Sequence, residues 1–159
     1  MGSLSVFHWL IVLIFLALPV VIILAFRNPP PGPNRFGAVA SPMGFGRAIG
    51  SFFRNYVNFS GRASRSEFWY AMLFVFLVSI FLSVVDLSLG LDEFGLGNIF
   101  SLAVLLPNIA VTARRLHDIN RSGWFQLLGW LFPIGSLAVF VWFCREGSDA
   151  DLKTVAEVF

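Results

Sequence analysis

The sequence predicts an all-α polytopic membrane protein, with about four transmembrane helices and a cytoplasmic amphipathic helix lying in the membrane interface. Three observations predict it. Hydrophobic residues make up 57% of the chain and charged residues only 13%, where an ordinary soluble domain carries about 25% charged residues. Four apolar stretches approach or reach the roughly 20 residues that cross a bilayer. Nine of the eleven Lys and Arg residues fall in two loops that four crossings would place on one side.

The first stretch runs from Leu4 to Phe26. No basic residue precedes it and it is longer than a usual signal-peptide core, so it reads as a retained helix. The second runs from Phe68 to about Leu89, interrupted only by Asp86 near its end. The third, Phe94 to Ala113, is weakened by Gly95, Gly97 and Asn98, and holds Pro107 and Asn108. A proline inside a membrane helix frees a carbonyl that another group must satisfy, and Asn108 is the expected donor. The fourth is Trp124 to Cys144. All four are apolar on every side, as helices facing lipid are. Cys144 is the only cysteine, which excludes an internal disulfide and a cysteine-built metal site, and it reads as a small buried hydrophobe.

The loop from Arg27 to Glu67 carries Arg27, Arg35, Arg47, Arg54, Arg62 and Arg65, and the loop after the third stretch carries Arg114, Arg115 and Arg121. The loop between the second and third stretches has only acids, Asp92 and Glu93. By the positive-inside rule, loops 27–67 and 114–123 are cytoplasmic and both termini are periplasmic. The net charge is only +2, so the high pI of about 9.2 does not argue for nucleic acid.

Within the long loop, "NPPPGPNRFG" is a stiff Pro/Gly-rich linker. "FGRAIGSFFRNYVNF" follows, with Phe45, Ala48, Ile49, Phe52, Phe53, Tyr56 and Phe59 at helical spacing and Arg47, Ser51, Arg54, Asn55 and Asn58 on the other face. It predicts an amphipathic helix of about three turns with its aromatics in the bilayer interface. Gly61 permits the turn into the next helix. Ser64 and Glu67 have capping-box spacing, so that helix should start at Arg65.

"RRLHDINRSGW", Arg114 to Trp124, concentrates charge between apolar flanks. Asp118 is one turn from both Arg114 and Arg115, which predicts an internal ion pair. Asn120 to Gly123 reads as a turn, and Ser122 as the cap of the helix that Trp124 opens. Catalysis by His117 and Asp118 is disfavoured: a metal-dependent hydrolase needs more ligands, the only other histidine is His8, and no serine elbow or phosphate loop accompanies them. Arg62, Arg65, Glu67, Arg114, Arg115, His117, Asp118 and Arg121 are therefore candidates for binding anionic lipid headgroups or a protein partner.

At these residues the chain resembles the bacterial inner-membrane proteins catalogued as domain of unknown function 805. The resemblance rests on "YVNFSGRASRSEFW", then Asp86, then "LLPNIAVTARRLHDINRSGWFQLL", then "PIG" at Pro133–Gly135, and covers roughly Phe52 to Gly147. It implies a small polytopic membrane protein of a kind with no established common activity. The chain departs from the family pattern in its tail, "REGSDADLKTVAEVF", which lacks the family's Asn-Arg/Lys-Phe/Tyr-Gly motif. That motif stands instead at Asn34–Gly37, and "WLIVLIFLALPVVIILAFRNPPPGPNRFG" resembles the family's last helix plus tail.

The organisation expected is a transmembrane helix (1–27), a Pro/Gly-rich linker (28–44), the family membrane domain (45–147) and a tail (148–159). The function expected is that of an integral inner-membrane protein, non-enzymatic, without cofactor or metal, whose cytoplasmic arginines meet anionic lipid or a partner. The alternative is a small transporter or export component, which four helices could form only as a homo-oligomer.

Overall fold

In the computed structural model, residues 34–91, 95–131 and 133–148 are described, together with scattered helical positions between His8 and Ile23. The bounds of the N-terminal helix, the linker before Asn34 and the tail beyond Ser148 lie outside the described residues. Those N-terminal positions that are described, Trp9, Phe15 and Leu16 among them, are exposed. The described elements are all helical: α1 (Phe45–Arg54), α2 (Arg65–Leu89), α3 (Leu96–Asp118), a 3₁₀ helix (Gly123–Trp130) and α4 (Ile134–Cys144).

Helices α2 and α3 form an antiparallel hairpin. At 25 and 23 residues they are about 37 and 34 Å long, enough to cross the roughly 30 Å hydrocarbon core. None of the most apolar stretch of α2, and only 28% of that of α3, is buried inside the protein. Phe76, Phe81, Leu87, Ile99 and Leu102 all point outward. A soluble protein would hide these side chains; here they face lipid.

Asp86 explains the glycines that weakened the third stretch. Its Oδ1 accepts from the N–H of Leu96 and its Oδ2 from that of Gly97, both at 2.8 Å. The carboxylate of one helix thus caps the exposed N–H groups of the next. A Cβ on Gly95 would lie 2.4 Å from Asp86 Oδ2, so only glycine leaves room for this cap.

Pro107 stays inside α3. It has no N–H for the carbonyl of Ala103, one turn back, and the sequence pointed to Asn108 as the replacement donor. The structure assigns that role to the Tyr56 hydroxyl, which donates to Ala103 O. Asn108 Oδ1 is buried with no hydrogen-bond partner.

The fourth apolar stretch is not one spanning helix. It is a 3₁₀ helix of eight residues and an α-helix of eleven, each about 16 Å long. Pro133 divides them, since it cannot donate to a continuing helix. The pair folds back on itself. A Cβ on Gly123 would lie 2.8 Å from that of Ala113, and at the other end Ser148 N–H donates to Asp118 O at 2.8 Å. Both ends of this short hairpin therefore lie at the C-terminal end of α3. The expectation that the chain after the fourth stretch emerges opposite the arginines fails for Arg145–Ser148. Cys144 is exposed, not buried as its apolar surroundings suggested.

Helix α1 ends at Arg54, short of Phe59. Its apolar face is divided. Ala48 and Phe52 are fully buried against the protein, and Phe53 meets Phe74 of α2 edge-on at 5.8 Å. Phe45 and Phe59, each 42% exposed, remain on the outer flank. The inner half packs on the protein, where the sequence favoured insertion of the whole face into the interface.

Two hydrophobic clusters, one around Phe52, Ala63, Phe68, Ala71, Val104 and Val111, the other around Leu116, Ile119, Val139 and Trp142, share Phe143 at their border. The first draws on α1, the start of α2 and α3, the second on the end of α3, the 3₁₀ helix and α4. The packed core thus sits at the arginine end of the hairpin.

Candidate functional site

The site is built where α2 begins and α3 ends. Ser64 caps α2, its Oγ accepting from Glu67 N–H at 3.2 Å, as the capping-box spacing predicts. The Glu67 carboxylate does not turn back toward Ser64. Its Oε1 accepts from Arg114 Nη1 at 2.7 Å and from Ser51 Oγ of α1 at 2.8 Å. Three helices meet at one carboxylate oxygen. Arg114 and Glu67 side chains are 5% and 3% exposed, so this pair is desolvated, and Ser51 supports it on the carboxylate side. Arg114 Nε and Nη2 are buried and have no hydrogen-bond partner.

Asp118 is the second hub. Arg115, three residues earlier, reaches its Oδ2 at 2.5 Å, and Arg62 reaches its Oδ1 through Nη2 at 2.8 Å. Of the two partners the sequence offered Asp118, Arg115 takes it and Arg114 crosses to Glu67. Arg115 also donates to Phe143 O at 3.1 Å and to Arg145 O, which ties the end of α4 to α3. Ser148 Oγ and N–H both converge on the Asp118 carbonyl. Buried carboxylates and guanidiniums on separate elements thus act as one electrostatic knot.

The remaining candidates are placed as follows. His117 Nδ1 lies 3.1 Å from Gly61 O, and the ring of Phe36 is stacked on its face at 3.8 Å. Arg121 lies over the Trp142 ring at 4.2 Å, a cation–π contact. Burial, and secondarily the charge of Arg145, push its guanidinium below the ordinary value. Arg65 is half-exposed and pairs with the exposed Glu146 at 3.1 Å. Asn120 holds a left-handed turn at φ +56°, and Ser122 caps the 3₁₀ helix through Trp124 N–H at 3.4 Å.

A cleft of about 690 Å³ opens beside this knot, between Val39, Ala40 and Pro42 on one wall and Ser64, Arg65, Ser66 and Gly147 on the other. Sequence reasoning missed several participants: Asn34, Phe36, Ser51, Tyr56, Trp142 and Ser148. For Ser51 the signal was its polar position on α1, one turn from Arg54 and Asn55. For the others the contacts join residues far apart in the chain, which no local pattern encodes.

The family model for "Protein of unknown function (DUF805)" matches residues 56–153, the stretch that contains both hubs. The chain belongs to this family. It is 44% identical over 99 residues to the inner membrane protein YhaI of Escherichia coli (strain K12), covering 62% of this chain and 84% of that one. It is 38% identical over 102 residues to the inner membrane protein YhaH of the same strain, again over 62% and 84% of the two chains. No solved structure matches the chain. The names of these relatives agree with the lipid-facing surface of α2 and α3: this family member is an integral membrane protein. The match includes Glu67, Arg114, Arg115 and Asp118 but leaves Asn34–Gly37 outside it.

Proposed function

We propose that the protein is a non-enzymatic inner-membrane protein, oriented with its arginine end in the cytoplasm and in contact there with anionic headgroups. One observation carries this reading. The basic residues gather at one end of the α2–α3 hairpin, while the apolar flanks of both helices are bare. The arginines divide by burial. Arg62, Arg114, Arg115 and Arg121 are engaged inside the protein with Glu67, Asp118 and Trp142. Arg35, Arg47, Arg54 and Arg65 are exposed, and these are the headgroup contacts, each contributing about 1 kcal/mol near an anionic surface. The absence of catalysis is supported by how His117 and Asp118 are committed. One is stacked and hydrogen-bonded to backbone, the other is held by two arginines.

In this orientation the 3₁₀–α4 hairpin enters the membrane from the cytoplasmic side, reaches about half its thickness, and returns. Chain reporters placed after Gly37 and after Ser148 then both read cytoplasmic; a periplasmic signal at Ser148 overturns the orientation. Lipid contact is tested by native mass spectrometry of the Arg47→Gln, Arg54→Gln, Arg65→Gln triple variant. The reading expects loss of co-purifying anionic lipid with unchanged yield, and unchanged lipid retention refutes it.

The second reading, a small oligomeric transporter or export component, is supported by Asn108. It is half-buried near the middle of α3, with its carbonyl oxygen lacking a hydrogen-bond partner. A polar pathway between copies would give cross-linking between chains at position 108 and loss of oligomer in Asn108→Leu.

A further inference from the structure

Asn34–Gly37 lies against the C-terminal end of α3, 83 residues from His117 in sequence. Three of its four positions meet a matching group there. Asn34 Nδ2 donates to the carbonyls of His117 at 2.9 Å and Asp118 at 3.2 Å, and to Ser148 Oγ at 2.9 Å. Those two carbonyls belong to the last turn of α3, whose C=O groups have no partners within the helix. Asn34 Oδ1 accepts from Phe36 N–H at 3.0 Å, closing the small turn that asparagine favours. Aspartate at this position would face two carbonyl oxygens with a negative charge.

Phe36 lies flat on the His117 ring, with centroids 3.8 Å apart and planes within 3°. The contact between His117 Nδ1 and Gly61 O fixes the plane on which Phe36 rests. Gly37 has φ +105°, a conformation that side chains disfavour, and its carbonyl accepts from Arg62 Nη1 at 3.4 Å. Arg35 is exposed and reaches over the Phe36 ring at 5.1 Å. Position two of the segment is therefore the permissive one.

We propose that the end of α3, together with Gly61, Arg62 and Ser148, is a peptide-recognition site for an Asn-X-aromatic-Gly segment, occupied here in cis by Asn34–Gly37. The receptor groups are two helix-end carbonyls, a hydroxyl, an oriented imidazole face and a guanidinium. They select an amide, then an aromatic ring, then a residue free to adopt positive φ. The site is separate from the headgroup contacts proposed above, and its test uses no lipid.

A tethered segment has a millimolar effective concentration, so a peptide added in trans can enter only after the cis segment is disabled. The experiment uses the full chain in detergent, with Asn34→Ala and Phe36→Ala together, and a fluorescently labelled peptide Gly-Pro-Asn-Arg-Phe-Gly read by anisotropy. The double variant should bind it saturably and at least about tenfold more tightly than the wild type. The same peptide with alanine in place of asparagine should bind about tenfold more weakly, for loss of the amide contacts. Equal binding of both peptides, or binding of neither by a variant of wild-type helicity and dispersity, overturns the proposal. If the double variant does not purify as a single species, Asn34→Asp, which keeps the side-chain size, is measured against the same two outcomes.

Discussion

The two ends of the α2–α3 hairpin solve the same problem by different means. Each must satisfy helix termini at a membrane surface. The end at Leu89–Leu96 does it locally, with the Asp86 carboxylate capping two N–H groups of the following helix. The arginine end does it globally. Glu67 and Asp118 draw in α1, α2, α3, the loop before α2, the chain after α4 and the segment before α1. A local cap makes a turn; a shared buried carboxylate makes a tertiary fold. The core lies at the second end because there, among the described residues, enough elements meet to bury side chains from one another.

The contrast can be broken most severely at Glu67. Glu67→Gln leaves Arg114 buried without its counter-charge, at a cost of about 3–5 kcal/mol. Thermal unfolding in detergent should show it, and a loss below about 1 kcal/mol would mean that water screens the pair. Next comes Tyr56→Phe, which strands the Ala103 carbonyl, a cost of about 1–3 kcal/mol. Pro107→Ala in the same chain restores the missing N–H and should recover most of that loss; no recovery would separate Tyr56 from the proline. At the local end, Asp86→Ala removes one cap, about 0.5–2 kcal/mol. Hydrogen exchange should rise at Leu96 and Gly97 while Glu67 and Arg114 are undisturbed. Spread of the change to the arginine end would erase the distinction between the two. The smallest effect belongs to Arg65→Gln, whose partner Glu146 is exposed; it should shift stability by about 0–1 kcal/mol. A larger shift would place Arg65 within the buried knot.

The hairpin helices were legible in the sequence because hydropathy, the Ser64 cap and the charge pattern are each local or additive. The candidate residues were proposed from their clustering in the sequence, and the structure brings Glu67 to Arg114 and Asp118 to Arg62 and Arg115. What they do was not legible. The sequence presented Arg114 and Arg115 as surface charges, because adjacent arginines look alike until helix phase and distant partners are known. Phase sends one to Glu67 and the other to Asp118. The fourth apolar stretch misled for a related reason. Its composition satisfies a span, and only Pro133 hinted at the break; the return of the chain depends on Arg115 reaching the carbonyls of Phe143 and Arg145. The NRFG motif was visible as a displaced tail, but its docking on His117 was not.

The separation of charges along the chain sets an order of events during synthesis. Arg62 leaves the ribosome 56 residues ahead of Asp118, and Glu67 leaves 47 residues ahead of Arg114. Through that interval the start of α2 carries an unmatched cation and an unmatched anion at the membrane surface, where water and headgroups must solvate them. Helix α2 can enter the bilayer alone, but its charged end can be sealed only when α3 arrives. The Asp118 carbonyl in turn waits until the chain has gone on to deliver Ser148. The knot is thus completed late: until residue 118 has been made, Arg62 has no Asp118 to pair with.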